Sequence, residues 1–342
     1  MNLKLGEVST IVVSSPEVAK DVMKTYDAIF AQRPHQVGAD IICYGSTDIA
    51  TAPYGGYWKQ LRKICSQELL SNTRVRSFRS LREEEVKNLV RYIETNNGSC
   101  VNLSEKVACM ASAIIARAAF GEKCKYQEEF ISLVKKLVKL VEDALEYPLT
   151  IDNIKAVMLN MFGAGTDTLS AVIEWAMSEM LKNPKVMTKA QEEVRRVFGN
   201  QGYTNEESLE ELKFLKAVIK ETMRLHPPFP LLLPRECRET CELKGYTIPV
   251  GTKVIVNAWA IARDPEYWTD AEKFYPERFM DCISFAVYNI ELCLAQLLYY
   301  FDWELPNGNK ENLQMTEALG AYSRRKTDLI LVPISYNPVP VS

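Results

Sequence analysis

The sequence predicts a mainly α-helical protein with a small β-sheet region, on three observations. Apolar residues recur at helical spacing through most of the chain. One stretch, Ile154 to Leu181, runs 28 residues without a proline and is apolar on nearly every face; as an α-helix it would span about 42 Å and be buried. Alternating, strand-like patterns are confined to residues 3–13, 246–257 and 328–336.

The elements follow in order. Leu3-Lys4-Leu5 and Ser9 to Val13 read as a hairpin about Gly6-Glu7. Ser15-Pro16-Glu17 opens a helix with a serine cap, proline at the first helical position and an acid in the first turn. Residues 31–57 read as loop, ending at Pro53-Tyr54-Gly55-Gly56 before a helix that carries Trp58, Leu61, Arg62 and Cys65. Trp58 and Arg62, at i and i+4, share a face. Helices are expected over Arg79 to Glu94 and Leu103 to Phe120, and an amphipathic one over Tyr126 to Leu145. The long central helix follows, capped by Thr150 or Asp152. A charged helix then runs from Lys185 to Phe198 with Gly199-Asn200 as its stop. Helices over Glu207 to Leu212 and Leu215 to Arg224 end at His226-Pro227-Pro228. Tyr246 to Ile248 and Lys253 to Asn257 read as strands about a turn at Pro249 to Thr252. An irregular loop, Ala262 to Asp281, precedes a last apolar helix, Ile283 to Phe301, and a strand over 328–336. No repeat or linker interrupts residues 1–342, which read as a single domain.

A chain of 342 residues with 47% hydrophobic and 25% charged residues can bury a large core, and a net charge of −3 exerts no general pull on nucleic acid. Nine scattered cysteines fit reduced thiols rather than a disulfide framework. With His35 and His226 the only histidines, no zinc set is completed. Met1 to Gly6 reads as neither signal peptide nor membrane anchor. Asn289, Glu291 and Gln296 make Ile283 to Phe301 a buried helix rather than a membrane span.

The centre of the long helix is where chemistry enters. Gly163 and Gly165 each cost about 1 kcal/mol there against alanine, and Asp167 needs a partner in a buried setting. Either the glycines admit a neighbouring helix, with Thr166 and Thr168 bonding back to the preceding turn, or the helix opens locally to a ligand beside an acid and an alcohol. Glu221 and Arg224, three apart on one helix face, and Arg278 in Pro276-Glu277-Arg278-Phe279 are dull singly. Together they could form an Arg–Glu–Arg triad that pins a loop to a helix.

Taken together, these motifs resemble those of the cytochromes P-450. Ala164-Gly165-Thr166-Asp167-Thr168 resembles the family's oxygen-binding helix, Glu221-Thr222-Met223-Arg224 its Glu-x-x-Arg helix, Phe274 to Phe279 the partner loop, and Trp58-Lys59-Gln60-Leu61-Arg62 the haem-propionate helix. The resemblance runs from Leu3 to Ser342, in the manner of plant microsomal enzymes of specialised metabolism. It implies a haem-thiolate monooxygenase that inserts one oxygen atom from dioxygen into a hydrophobic, terpenoid-like metabolite. Electrons would come from NADPH through an NADPH–cytochrome P-450 reductase. Asp167 and Thr168 would be the acid–alcohol pair that relays protons, Ala164 and Gly165 would give the oxygen room, and Trp58 and Arg62 would bond a propionate of haem b. Glu221, Arg224 and Arg278 would be the structural triad. The family works at the cytosolic face of the endoplasmic reticulum membrane.

The sequence departs from the family at three places. Where its Phe-x-x-Gly-x-Arg-x-Cys-x-Gly loop belongs, the chain reads Phe279-Met280-Asp281-Cys282-Ile283. This leaves Cys282 at the start of a helix, a position that would lower a thiol pKa, either as an incidental junction residue or as the metal ligand. Near 122–147 one helix stands where the family has a longer roof over the substrate, and the N-terminal anchor is missing, which would leave the chain cytosolic. The expected fold is therefore an incomplete P-450 fold, with weak or absent haem binding. The alternative function is a non-catalytic splice or gene-model remnant of this fold that cannot hold haem and acts, if at all, through protein contacts.

Overall fold

The computed structural model describes residues 1–120, 149–201, 206–280, 287–308, 313–318, 320 and 322–339. The chain divides into two compact units, each assembled from three separate stretches: Met1–Ser77, Ala119–Ala164 and Phe229–Asp264 in the first, Phe78–Ala118, Gly165–Pro228 and Pro265–Ser342 in the second.

The first unit holds the larger sheet. Strands β1 (Asn2–Leu5) and β2 (Val8–Val13) form the expected hairpin, Leu5 opposite Val8, with Gly6 at a φ of +63° that suits a residue without Cβ. Helix α1 (Pro16–Lys20) begins at Ser15 with proline in its first turn. Residues 31–57 are less irregular than expected, since α2 (Val37–Ile42) forms within them. Helix α3 (Gly56–Ile64) carries Trp58 and Arg62.

Pairing around residues 235–256 differs from the sequence reading. Strand β4 (Arg235–Glu236, numbered after the second unit's β3) and β7 (Lys253–Val256) join the β1–β2 sheet, with β7 parallel to β2. Among the described residues, strands β5 (Cys241–Leu243) and β6 (Tyr246–Ile248) pair only with each other. The two strands flanking Pro249 to Thr252 thus belong to different sheets; long-range pairing with β2 decides this, and no local pattern encodes it. Val13, Val22, Phe30, Cys237, Leu243, Ile248, Val254 and Val256 form this unit's core.

The second unit is helical. Helices α5 (Arg79–Thr95) and α6 (Leu103–Phe120) follow α4 (Asn72–Ser77) of the first unit. A buried bidentate pair, Arg82 to Glu206 at 2.9 and 2.6 Å, fastens α5. Strand β3 (Val101–Asn102) pairs with β9 (Ile330–Ser335), which pairs in turn with β8 (Phe301–Glu304).

The long helix, α7, spans Ile151–Lys182, contributing to the first unit as far as Ala164 and to the second from Gly165. Thr150 is its cap: Thr150 Oγ1 accepts from Asn153 N at 3.3 Å, and Asn153 Oδ1 accepts from Thr150 N at 2.8 Å. Burial along it is uneven. Leu169 to Met180 is buried almost without break, whereas Leu159, Gly163, Ala164 and Asp167 are exposed. The expectation of a helix buried all along is corrected for this half: its apolar faces are not all turned to core.

Helix α8 (Pro184–Gln201) runs through Gly199 and Asn200, three residues beyond the expected end at Phe198. Helix α9 (Lys213–Leu225) is held at its N-terminus by Glu193, whose two oxygens accept from Phe214 N and Leu215 N, both at 2.9 Å. Helix α11 (Tyr288–Tyr300, after the short α10, Ala258–Ile261) is buried from Ile290 to Leu298.

That burial includes Glu291, only 2% exposed. Burial raises its pKa against the opposing pull of Lys216, with Glu206 and Glu210 adding repulsion. Its Oε2 finds no hydrogen-bond partner among the described residues. Because the folded pKa lies above the unfolded one, the penalty is absent in acid and develops as pH rises above the ordinary carboxyl range. Glu291→Gln should therefore raise the melting temperature at about pH 8 and leave it unchanged at about pH 4. Equal melts at both pH values would show that the carboxylate is already compensated.

Candidate functional site

In the second unit, α9 and the loop after residue 265 build a closed ionic cluster. Glu221 is fully buried. Its Oε2 accepts from Arg224 Nε at 2.7 Å, and its Oε1 accepts from Arg224 Nη2 at 2.8 Å, Arg278 Nε at 3.1 Å and Tyr275 N at 2.8 Å. The guanidiniums continue outward: Arg224 Nη1 and Nη2 donate to Ala271 O (2.6 Å) and Lys273 O (3.1 Å), and Arg278 Nη1 to Thr269 O (3.0 Å). The Trp268 ring lies 5.1 Å from the Arg224 guanidinium. One carboxylate thus satisfies two cations, and they in turn hold the carbonyls of residues 269–273. The loop is fixed in this way by the three residues the sequence singled out.

Beside it lies a second cluster that sequence reasoning missed. His226 stacks on Trp175 at 3.8 Å and 2°. Its Nε2 faces Glu179 Oε1 at 2.9 Å and its Nδ1 faces Glu317 Oε1 at 3.2 Å. Trp175 Nε1 donates to Ser323 O, and Arg325 Nη1 to Ser178 Oγ at 2.7 Å. A lone histidine beside a proline stop carries no pattern that points to partners 47 and 91 positions away.

The centre of α7 is regular helix throughout, not locally opened. Ser170 bonds back to the previous turn, donating to Thr166 O at 3.0 Å and Asp167 O at 3.2 Å. A Cβ on Gly165 would lie 2.5 Å from Ile115 Cδ1 of α6. Gly165 therefore lets α6 close in, and the space it leaves is filled; among the described residues nothing lies within 4 Å of a Cβ built on Gly163, and Ala164 is exposed. Asp167 is exposed and Thr168 half-buried on the next position.

In the first unit, Trp58 Nε1 donates to Ile49 O at 3.0 Å. An indole has one N–H, and here it is Ile49 that receives it. The Trp58 ring supports the Arg62 guanidinium at 5.2 Å. Arg62 is exposed and belongs to an arginine cluster with Arg33 and Arg235. Arg33 Nη1 donates to Pro234 O at 2.9 Å and Leu233 O at 3.3 Å, and Arg235 Nη1 to Asp27 at 2.9 Å. Burial, then repulsion by Arg235 and Arg62, lowers the pKa of Arg33, with Asp27 and Asp48 opposing only in part. Such a concentration of positive charge favours an anion.

Cys282 and the 126–145 segment lie outside the described residues. Among the described cysteines, burial pushes Cys43 and Cys237 up to about 11 and raises Cys65 and Cys293. That is the opposite of what a thiolate ligand requires.

The sequence profile described as Cytochrome P450 matches residues 1–147 and 141–283. The chain belongs to the cytochrome P450 family. As a P450 it is 45% identical to Cytochrome P450 71AV8 of Cichorium intybus, over all of this chain and 86% of that protein. It is 44% identical to Germacrene A hydroxylase of Barnadesia spinosa, over 98% of this chain and 85% of that one. The first alignment extends over 429 positions against 342 residues here, so at least 87 positions of that relative have no counterpart in this P450. The fold is shared with a zebrafish cytochrome P450 solved with abiraterone, with a TM-score of 0.83 at 22% identity, over 99% of this chain and 96% of the other. The family is one of monooxygenases, and the mainly helical fold with small sheets is the family's own.

Proposed function

We propose that this P450 is a haem-thiolate monooxygenase inserting one oxygen atom from dioxygen into a hydrophobic, terpenoid-like plant metabolite. NADPH supplies the electrons through a partner reductase at the endoplasmic reticulum surface. The arginine cluster carries the reading. Arg33, Arg62 and Arg235 concentrate more positive charge than their neighbours neutralise, and haem b brings two carboxylates to match it. The residues present fit that end of the cofactor, with Arg62 placed by the Trp58 ring and Arg33 by the carbonyls of Leu233 and Pro234. When bound, haem supplies redox-active iron for activating dioxygen. The chain's own contribution is to anchor the carboxylates and to hold an acid and an alcohol, Asp167 and Thr168, on consecutive positions of α7 as proton donors. Ala164 leaves the helix flank bare, and Cys282 is the proposed iron ligand. The substrate class is supported by relatives such as Germacrene A hydroxylase and by the exposed apolar run Leu231 to Leu233.

A second reading, a remnant that cannot complete the ligand loop, draws on a different observation. The profile matches break at 141–147 and stop at 283, beside the two internal segments the sequence lacks. The ferrous–carbon monoxide spectrum of the haem-loaded chain separates the two. The first reading expects the red-shifted Soret band of a thiolate-ligated ferrous haem, lost in Cys282→Ser. A chain that takes up no haem, or that binds it without that shift, would uphold the remnant.

A further inference from the structure

Two cysteines that the proposed function does not use are in contact. Cys237 Sγ lies 3.9 Å from Cys241 Sγ, and among the described residues this is the pair of sulfurs that touch. Their backbones are held independently. Cys237 follows β4, where its N donates to Thr252 O at 2.9 Å and its O accepts from Gly251 N at 2.8 Å. Cys241 begins β5 and is paired with Ile248 of β6. Cys237 is tied to residues 251 and 252 and Cys241 stands in β5, so closing a bond between them shortens a sulfur contact that already exists.

The two thiols are also unequal. Cys237 is fully buried and donates its S–H to Glu239 O at 2.9 Å, while Cys241 is only half-buried. Burial and the neighbouring sulfur push the Cys237 thiol up to about 11. Cys237 is therefore the thiol that waits and Cys241 the one an oxidant reaches.

We propose that Cys237 and Cys241 are a redox-modification site, closed by a hydroperoxide into a reversible disulfide across the loop that joins β4 to β5. The peroxide takes two electrons from Cys241, giving a sulfenic acid and one molecule of water or alcohol. The Cys237 sulfur then attacks that of Cys241; an S–S bond forms, the S–O bond breaks, and water leaves with the Cys237 proton. A dithiol reductant returns both thiols. The closed ring contains Arg238 and lies two residues from Arg235, so oxidation would tether the end of the strand that carries this cation.

Trypsin makes the test unambiguous. It cuts after Arg235, Arg238 and Lys244, placing the two cysteines on separate peptides, Glu236–Arg238 and Glu239–Lys244. The folded protein is treated with hydrogen peroxide, its remaining thiols are blocked with maleimide during denaturation, and it is digested without reductant. The expected product is these two peptides joined by a disulfide, with two of the chain's nine cysteines lost to maleimide and both restored by dithiothreitol. Cys241→Ser should abolish the linked species. It should leave Cys237 as a free thiol, with the far-UV circular dichroism unchanged. Cys241 recovered as sulfinic acid beside an alkylated Cys237 would overturn the proposal, as would either residue paired to a different cysteine.

Discussion

Glu221→Ala is expected to destabilise the second unit by about 3–5 kcal/mol, the cost of leaving buried cations without their counter-ion. The carboxylate is fully buried and accepts four hydrogen bonds, three from guanidinium nitrogens and one from the backbone of Tyr275. Removing it strands Arg224, itself only 5% exposed, against Ala271 and Lys273 carbonyls that cannot neutralise it. A domain's whole stability is about 5–15 kcal/mol, so the variant should express poorly or melt far below the parent. Glu221→Gln keeps two acceptor lone pairs on one oxygen but loses the charge, and should fall between. Arg278→Ala should cost less than Arg224→Ala, since Arg278 is the more exposed and makes one contact to Glu221 rather than two. Urea unfolding followed by circular dichroism gives the ordering, and a Glu221→Ala protein that unfolds with the parent would remove the cluster from its structural role.

What the sequence made legible here was whatever is encoded within a few positions. The Thr150 cap, the i, i+3 spacing of Glu221 and Arg224, and the β1–β2 hairpin at Gly6 are local, and each forms with its expected partners or within a few residues of them. Arg278 joined them because the sequence held a second guanidinium on a loop that needed fixing. Tertiary context decided the rest. Gly165 was legible as a small residue, but only the approach of Ile115 from α6 shows which neighbour requires it. Trp58 was legible as a donor, but Ile49 takes its single N–H. The separation of β6 from β7 follows from β2, about 240 positions away in register. Most consequentially, Arg33 and Arg235 carry no motif. Arg33 reaches its place through carbonyls 200 and 201 positions later in the chain, and no spacing rule connects them.

The arginine cluster supports the second large effect. Hydrogen bonds to charged groups contribute about 1.5–3 kcal/mol each, which corresponds to roughly tenfold to more than a hundredfold in affinity per cation. Arg62 and Arg235 are the two to remove. Arg62 rests on the Trp58 ring at the surface, and among the described residues Arg235 has the half-exposed Asp27 as its ionic partner, so neither loss leaves a buried charge behind. Removing both should also relieve the repulsion on Arg33, returning its pKa toward the ordinary arginine range. The fold should therefore survive, and the loss should be one of binding.

The most direct measurement is a haem titration of the apoprotein, comparing the parent with the Arg62→Ala/Arg235→Ala double variant. Its control ligand is the same porphyrin with both propionates esterified. The account predicts that the parent binds haem about a hundredfold or more tighter than the double variant, by two such charge-assisted contacts, and that esterification abolishes the difference. Equal affinities in parent and variant, or a difference that persists with the ester, would contradict it.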